Sequence, residues 1–129
     1  MNREIEFRGF DGTKWYYGDL EYNRKTDIAR IHTYKEDGGY DRQYLVEART
    51  IGQYTGMKDK NGVKIFEGDI IRFVNGQKKV NGEWADNELI YTVEYSKGAF
   101  CCVSGLSEVL DAVEVIGNIH DNPELLVAK

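Results

Sequence analysis

Cysteine, proline and histidine are scarce in this chain, and each scarcity excludes something. The only two cysteines, Cys101 and Cys102, are adjacent. They cannot make a disulfide framework, which suits a reducing compartment. The two histidines, His32 and His120, stand far apart, so a zinc site built from them and the thiols lacks the close ligand spacing such sites use. No run approaches the ~20 apolar residues of a membrane span. The opening Met1-Asn2-Arg3-Glu4-Ile5-Glu6 puts charges where a secretory signal is apolar, and the expectation is a cytoplasmic protein with no membrane partner. Basic residues are outnumbered, 17 against 22, for a net charge of −5, so there is no global positive field for a polyanion and nucleic-acid binding needs a local patch.

Motifs that carry chemistry are missing as well. There is no Gly-x-Gly-x-x-Gly, P-loop or nucleophile elbow, and Gly52 and Gly56 stand without the lysine of a phosphate cradle. No cofactor is expected.

What is present is a folded, aromatic-rich composition: 41% apolar and 30% charged residues, with nine Tyr, five Phe and two Trp, and fourteen Gly against a single Pro. A chain of 129 residues fits one domain, 1–129, burying roughly two thirds of its unfolded surface. The composition favours short strands joined by glycine turns.

The pattern along the chain agrees. Ile5 and Phe7 alternate with charges over Glu4–Phe7, Asp11-Gly12 turns, and Lys14–Leu20 places Trp15 and Tyr17 on one face and Tyr16 and Leu20 on the other, a hairpin. Asp27–Thr33 reads as a strand, Lys35–Arg42 as a loop around Gly38-Gly39, and Ala48–Tyr54 as a strand. Asp59-Lys60-Asn61-Gly62 and Glu67-Gly68 are tight turns around a short strand Val63–Phe66, and Asp69–Val74 follows as another. Residues 75–87, with Asn75-Gly76, Lys78, Lys79, Asn81-Gly82 and Trp84, read as a long hairpin loop or flexible arm. Glu88–Tyr95 alternates most cleanly, Ser96-Lys97-Gly98 turns it into Ala99–Val103, Leu106–Ala112 is a helical turn or loop, and Glu114–Ile119 is a last strand. Asn122-Pro123-Glu124 has the cap, first-turn proline and early acid of a short C-terminal helix. About eight or nine close-spaced strands without βαβ alternation predict a mainly β chain, a small antiparallel barrel or roll.

Several constellations invite chemistry, each beside a plainer structural reading. Asp59, Asn61, Glu67 and Asp69 suggest a calcium loop, but the glycine comes too early and the closing Glu is not at the twelfth position, so turn chemistry at Asp59, Asn61, Gly62, Gly68 and Asp69 is the better account. Glu67 and Asp69 as paired carboxylates lie two apart across a glycine at a strand start, where acids also serve turns. Cys101 and Cys102 point to opposite faces of a strand, one of them a small buried hydrophobe. Trp15, Tyr16, Tyr17, Tyr54, Trp84, Tyr91 and Tyr95 are a stacking platform or peptide groove in one reading, and chiefly core in the other. Arg72, Lys78 and Lys79 beside Trp84 form the best basic cluster, a phosphate-tracking arm or a solvated loop.

Two long blocks carry a family resemblance. Ile51-Gly52-Gln53-Tyr54-Thr55-Gly56-Met57-Lys58-Asp59-Lys60-Asn61-Gly62-Val63-Lys64-Ile65-Phe66-Glu67-Gly68-Asp69-Ile70-Ile71 closely resembles the signature of the YopX family of phage and prophage proteins, and Val115-Ile116-Gly117-Asn118-Ile119-His120-Asp121-Asn122-Pro123-Glu124-Leu125-Leu126 its C-terminal signature. Phe7-Arg8-Gly9-Phe10-Asp11 is similar to the family's opening, with Gly9 and Phe10 a mild departure from it. The resemblance spans nearly the whole chain and implies an SH3-like β-barrel or roll. The family is one of unknown function, so no catalytic residue is carried over. The expectation is a non-catalytic phage or prophage accessory protein, a module that binds a phage or host protein or itself. The alternative is a small nucleic-acid-binding module using the loop 75–87.

Overall fold

A computed structural model describes residues 4–96, 99–101 and 112–126. The chain divides after Gly56 into two compact units. The first holds β1 (Phe7–Phe10), β2 (Trp15–Asn23), β3 (Ile28–Tyr34), β4 (Tyr40–Val46) and most of β5 (Gly52–Lys58), in the spatial order β4-β3-β2-β1-β5. The pairs among them are antiparallel.

Local chemistry explains the reversals. Asp11 Oδ1 accepts the N–H groups of Thr13 and Lys14, each at 2.7 Å, closing the loop that leaves Phe10 opposite Trp15. Asn23 Oδ1 does the same for Lys25 and Thr26, with Asp27 held at φ 55° by the Tyr22 hydroxyl donating to its carboxylate at 2.7 Å. The alternation read at Trp15–Leu20 holds. Tyr16 and Leu20 face a core of Ala29, Ile31 and Val46 that Phe7, Ala48 and Ile51 complete, while Tyr17 is exposed. A fully buried Ile such as Ile31 contributes roughly 1.5–3 kcal/mol.

After β4 a 3-10 turn, Ala48–Thr50, brings the chain back to the end of β1. Glu47 N–H donates to the Phe10 carbonyl at 2.8 Å, and Phe10 N–H donates to Thr50 Oγ1 at 2.9 Å. These bonds tie the turn to the end of β1, with Thr50 buried between them.

The second unit takes up the end of β5, with β6 (Lys64–Phe66) beside it, then β7 (Asp69–Val80), β8 (Glu83–Thr92), β9 (Glu94–Ser96), β10 (Ala99–Cys101) and β11 (Val113–Asn118). Here the order is β11-β7-β8, with β9 and β10 a separate pair. Ile65, Ile71, Val93 and Val113 form its core, packed by Met57, Phe73, Tyr91 and Val115.

The mainly β, antiparallel expectation is met. The strand orders are open among the described residues, so the sheets do not close into a barrel. Several local readings are corrected: the strand read at Glu4–Phe7 runs Phe7–Phe10, and the one read at Ala48–Tyr54 starts at Gly52 after the 3-10 turn. Residues 75–87 are not a loop: β7 and β8 stay paired to Val80 opposite Glu83, leaving only Asn81-Gly82 as the turn. Tyr40–Arg42 is strand, and the loop is the tight Lys35–Gly39 reversal. Pro123–Leu126 is a single 3-10 turn in place of an α-helix, because Leu125 N–H bonds back three residues to the Asn122 carbonyl at 3.0 Å while the Asn122 side chain turns back to Asn118 N–H at 3.3 Å. Cys102 and most of Leu106–Ala112, whose expected roles were stated above, lie outside the described residues.

Candidate functional site

The turn-signature residues come together on backbone groups. Asp59, 6% exposed, follows β5, and its Oδ1 accepts the N–H groups of Asn61 at 2.8 Å and Val63 at 2.9 Å. Its Oδ2 accepts Val115 N–H at 2.9 Å, from β11, and Lys60 N–H bonds the Val113 carbonyl at 3.1 Å. One carboxylate thus shapes a turn and fastens it to a strand 56 residues on. Burial pushes its pKa up, but the N–H groups of Val115, Val63 and Asn61 outweigh burial and hold it below the ordinary carboxylate value. Gly62, at φ 81°, takes the left-handed conformation that the turn requires. Asn61 also reaches Glu114 through its side chain, at 3.4 Å.

Asp69, 2% exposed, accepts Phe66 N–H at 2.7 Å across the turn containing Gly68, whose φ is 91°. Val93 N–H meets the Asp69 carbonyl at 2.8 Å, and Ile119 N–H the Gly68 carbonyl at 2.9 Å. In the C-terminal block Asn118 Oδ1 accepts the N–H groups of His120 and Asp121 at 3.0 and 2.9 Å. A Cβ at Gly117 would lie 2.5 Å from Asn122 Oδ1, so only glycine lets that turn close. Among the described residues, no cluster of His, Cys, Asp and Glu could hold a metal ion.

A second constellation escaped the sequence reading. On the outer face of β2, β3 and β4, the Asp19 carboxylate accepts the hydroxyls of Tyr34 and Tyr40, the latter at 2.8 Å. The hydrogen bond to Asp19, then desolvation, pushes the Tyr34 pKa well above its usual value. The two rings stack at 5.1 Å, and His32 meets the edge of Tyr40 at 5.8 Å. Glu21 binds His32 at 2.8 Å and Arg30 at 3.3 Å. Tyr34 and Tyr40 remain 46% and 61% exposed, with Tyr17 and Leu45 also exposed, and a shallow open depression runs beside them along His32, Tyr40, Asp41, Arg42 and Gln43. The signal in sequence was the register: Asp19 opposite His32, and Tyr34 opposite Tyr40 once β4 is paired.

The residues picked for nucleic-acid or partner contact lie on the β7–β8 hairpin but do not form one basic cluster. Arg72 Nε bonds Glu88 Oε1 at 2.5 Å, and Glu88, with Glu114 and Asp86, raises its pKa further. Lys79 sits opposite Trp84 in register, its Nζ 5.7 Å from the centre of a ring that is 67% exposed. Lys78 lies opposite Ala85. The aromatic set divides: Tyr54 is buried and Tyr16 stacks on Tyr44 at 3.9 Å, whereas Tyr17, Trp84 and Tyr95 are exposed.

Residues 6–127 match the family described as YopX protein. The chain belongs to that family. A search of curated proteins returned no match. Among solved structures, the YopX chain is similar to the crystal structure of protein EF1440 from Enterococcus faecalis, with a TM-score of 0.59 at 26% identity, over 98% of this chain and 100% of that one. The blocks that resemble the YopX signatures hold turns in this fold, through the side chains of Asp59, Asp69 and Asn118 and the backbone of Gly62, Gly68 and Gly117.

Proposed function

We propose that this YopX protein is a non-catalytic phage or prophage accessory protein that acts in the bacterial cytoplasm, without a cofactor, by binding another protein through the outer face of β2–β4. The chain's fold is read as an SH3-like roll that presents that face. The observation that carries the proposal is the Asp19–Tyr34–Tyr40 group, two exposed stacked rings whose hydroxyls share one carboxylate. Tyrosine supplies large amphipathic contact area, and rings already fixed lose little freedom on binding. The surrounding Arg30, His32 and Gln43 form a polar rim of the usual interface kind. The buried acids at Asp59 and Asp69 support the non-catalytic reading, since both are turned to backbone N–H groups rather than towards open space.

The nucleic-acid reading rests on Lys78, Lys79 and the Trp84 ring, but a phosphate chain laid there also meets Glu83 and Asp86 on the adjoining strand. The test compares immobilised wild-type protein with the Tyr34→Ala/Tyr40→Ala variant in lysates of prophage-induced cells, followed by calorimetry with the purified captured protein. The expected result is a protein bound about thirty-fold less tightly by the variant, at unchanged thermal stability. Equal binding by both forms overturns the proposal, as does salt-dependent binding of DNA or RNA at tens of micromolar in place of a protein.

A further inference from the structure

Beyond the bulge between Val74 and Gln77, β7 and β8 run on as a two-stranded ribbon, with Gln77 opposite Asp86, Lys78 opposite Ala85, Lys79 opposite Trp84 and Val80 opposite Glu83. Strand β11 accompanies β7 only from Asp69 to Phe73. Every residue from Gly76 to Asp86 is exposed. Asn81 at φ 52° and Gly82 at φ 84° make the tight turn suited to strand twist, so the ribbon is built with care. Yet two strands without a covering layer are marginal in water. An element with specified register whose residues Gly76 to Asp86 are all exposed is shaped for a surface outside its own chain.

Its charges say which surface. From Arg72 to Val80, β7 carries Arg72, Lys78 and Lys79 and no acid; from Glu83 to Thr92, β8 carries Glu83, Asp86 and Glu88 and no base. One strand is basic and its neighbour acidic, a self-complementary pattern. Directly opposite residues share a face and alternate along the strands, so Gln77, Lys79, Trp84 and Asp86 stand on one side of the ribbon, where Lys79 already lies over Trp84.

We propose that the β7–β8 arm is a self-association element, and that its partner is the same arm of a second copy, packed through the face carrying Lys79 and Trp84. A two-fold axis running along the arms sets each basic strand across from the partner's acidic strand. Lys79 then faces the partner's Trp84, and the indole, the largest exposed apolar surface of the arm, leaves water. This arm shares no residue with the tyrosine face, so the two proposals stand or fall apart.

The test is sedimentation velocity on the full chain from about 1 to about 200 µM, at low and high salt. Two charge-swapped variants, Lys79→Glu and Asp86→Lys, both on the packed face, are run alone and as an equimolar mixture. The wild type forms a dimer that salt weakens, and Trp84→Ala weakens it too. Each swapped variant is monomeric alone, and the mixture dimerises, because a packed face of uniform sign then meets one of the opposite sign. Each swap moves the net charge by two units from −5, leaving both variants negative, so general attraction does not produce the rescue. A wild type that stays monomeric throughout the range overturns the proposal. So do swapped variants that dimerise alone, and a mixture that stays monomeric.

Discussion

At the scale of single residues, the chain spends its buried polar groups on backbone, and Asp59 is the clearest case. Replacing Asp59 by Asn keeps one acceptor oxygen but turns an NH2 group towards the donors around it. The expected loss is about 2 kcal/mol at neutral pH, read by urea unfolding. The pH dependence follows from the lowered pKa. A carboxylate held below its unfolded value stabilises the fold above about pH 4 and loses that contribution as pH falls through the folded value. The difference between wild type and Asp59→Asn therefore shrinks as the solution is acidified from pH 6 towards pH 3. Gly18 makes a different point. Its φ is not special, but a Cβ there would lie 2.0 Å from the His32 carbonyl oxygen. Gly18→Ala forces β2 and β3 apart and costs about 3 kcal/mol or more, seen as a fallen urea midpoint. Turn residues such as Asn61 and Gly62 were legible because their conformational demands are local. The closeness of Gly18 to β3 was not, since nothing in the neighbouring residues reveals where another strand's backbone passes.

At the scale of elements, reading failed where polar sequence hides paired backbone. Gln77-Lys78-Lys79 and Glu83 to Asp86 have no apolar face because neither side of the ribbon is buried, so alternation, the usual mark of a strand, is missing. The Asn81-Gly82 turn was the signal that these were strands. Strand β4 was read partly as a loop for a similar reason: Tyr40-Asp41-Arg42-Gln43 are all exposed, and their partner β3 supplies the ladder. Strands with one buried face, such as β2, β3 and β11, were readable because burial selects the period. The C-terminal block misled in the other direction, since its cap, proline and acid suit a helix start, whereas Asn118 and Asn122 hold a tight chain of turns. Removing the Asn118 side chain frees the His120 and Asp121 N–H groups, so Asn118→Ala speeds hydrogen exchange at those two amides while leaving exchange in β3 unchanged.

At the scale of the whole molecule, the YopX signatures and the candidate binding surfaces fall on different residues. The signature positions Asp59, Gly68, Asp69 and Asn118 hold turns, while Tyr34, Tyr40 and Trp84 stand exposed outside both blocks. The resemblance in sequence therefore locates the fold's fastenings, and the structure was needed to bring Asp19, Tyr34 and Tyr40, spread over three strands, to one place. Capture from prophage-induced lysate tests that separation with wild type, Asp59→Asn and Tyr34→Ala/Tyr40→Ala, each first shown folded by circular dichroism at the capture temperature. Asp59→Asn, though less stable, is expected to capture the wild-type partner in full, and the tyrosine variant, with its stability intact, to lose it. Capture lost with Asp59→Asn and kept by the tyrosine variant would contradict that separation.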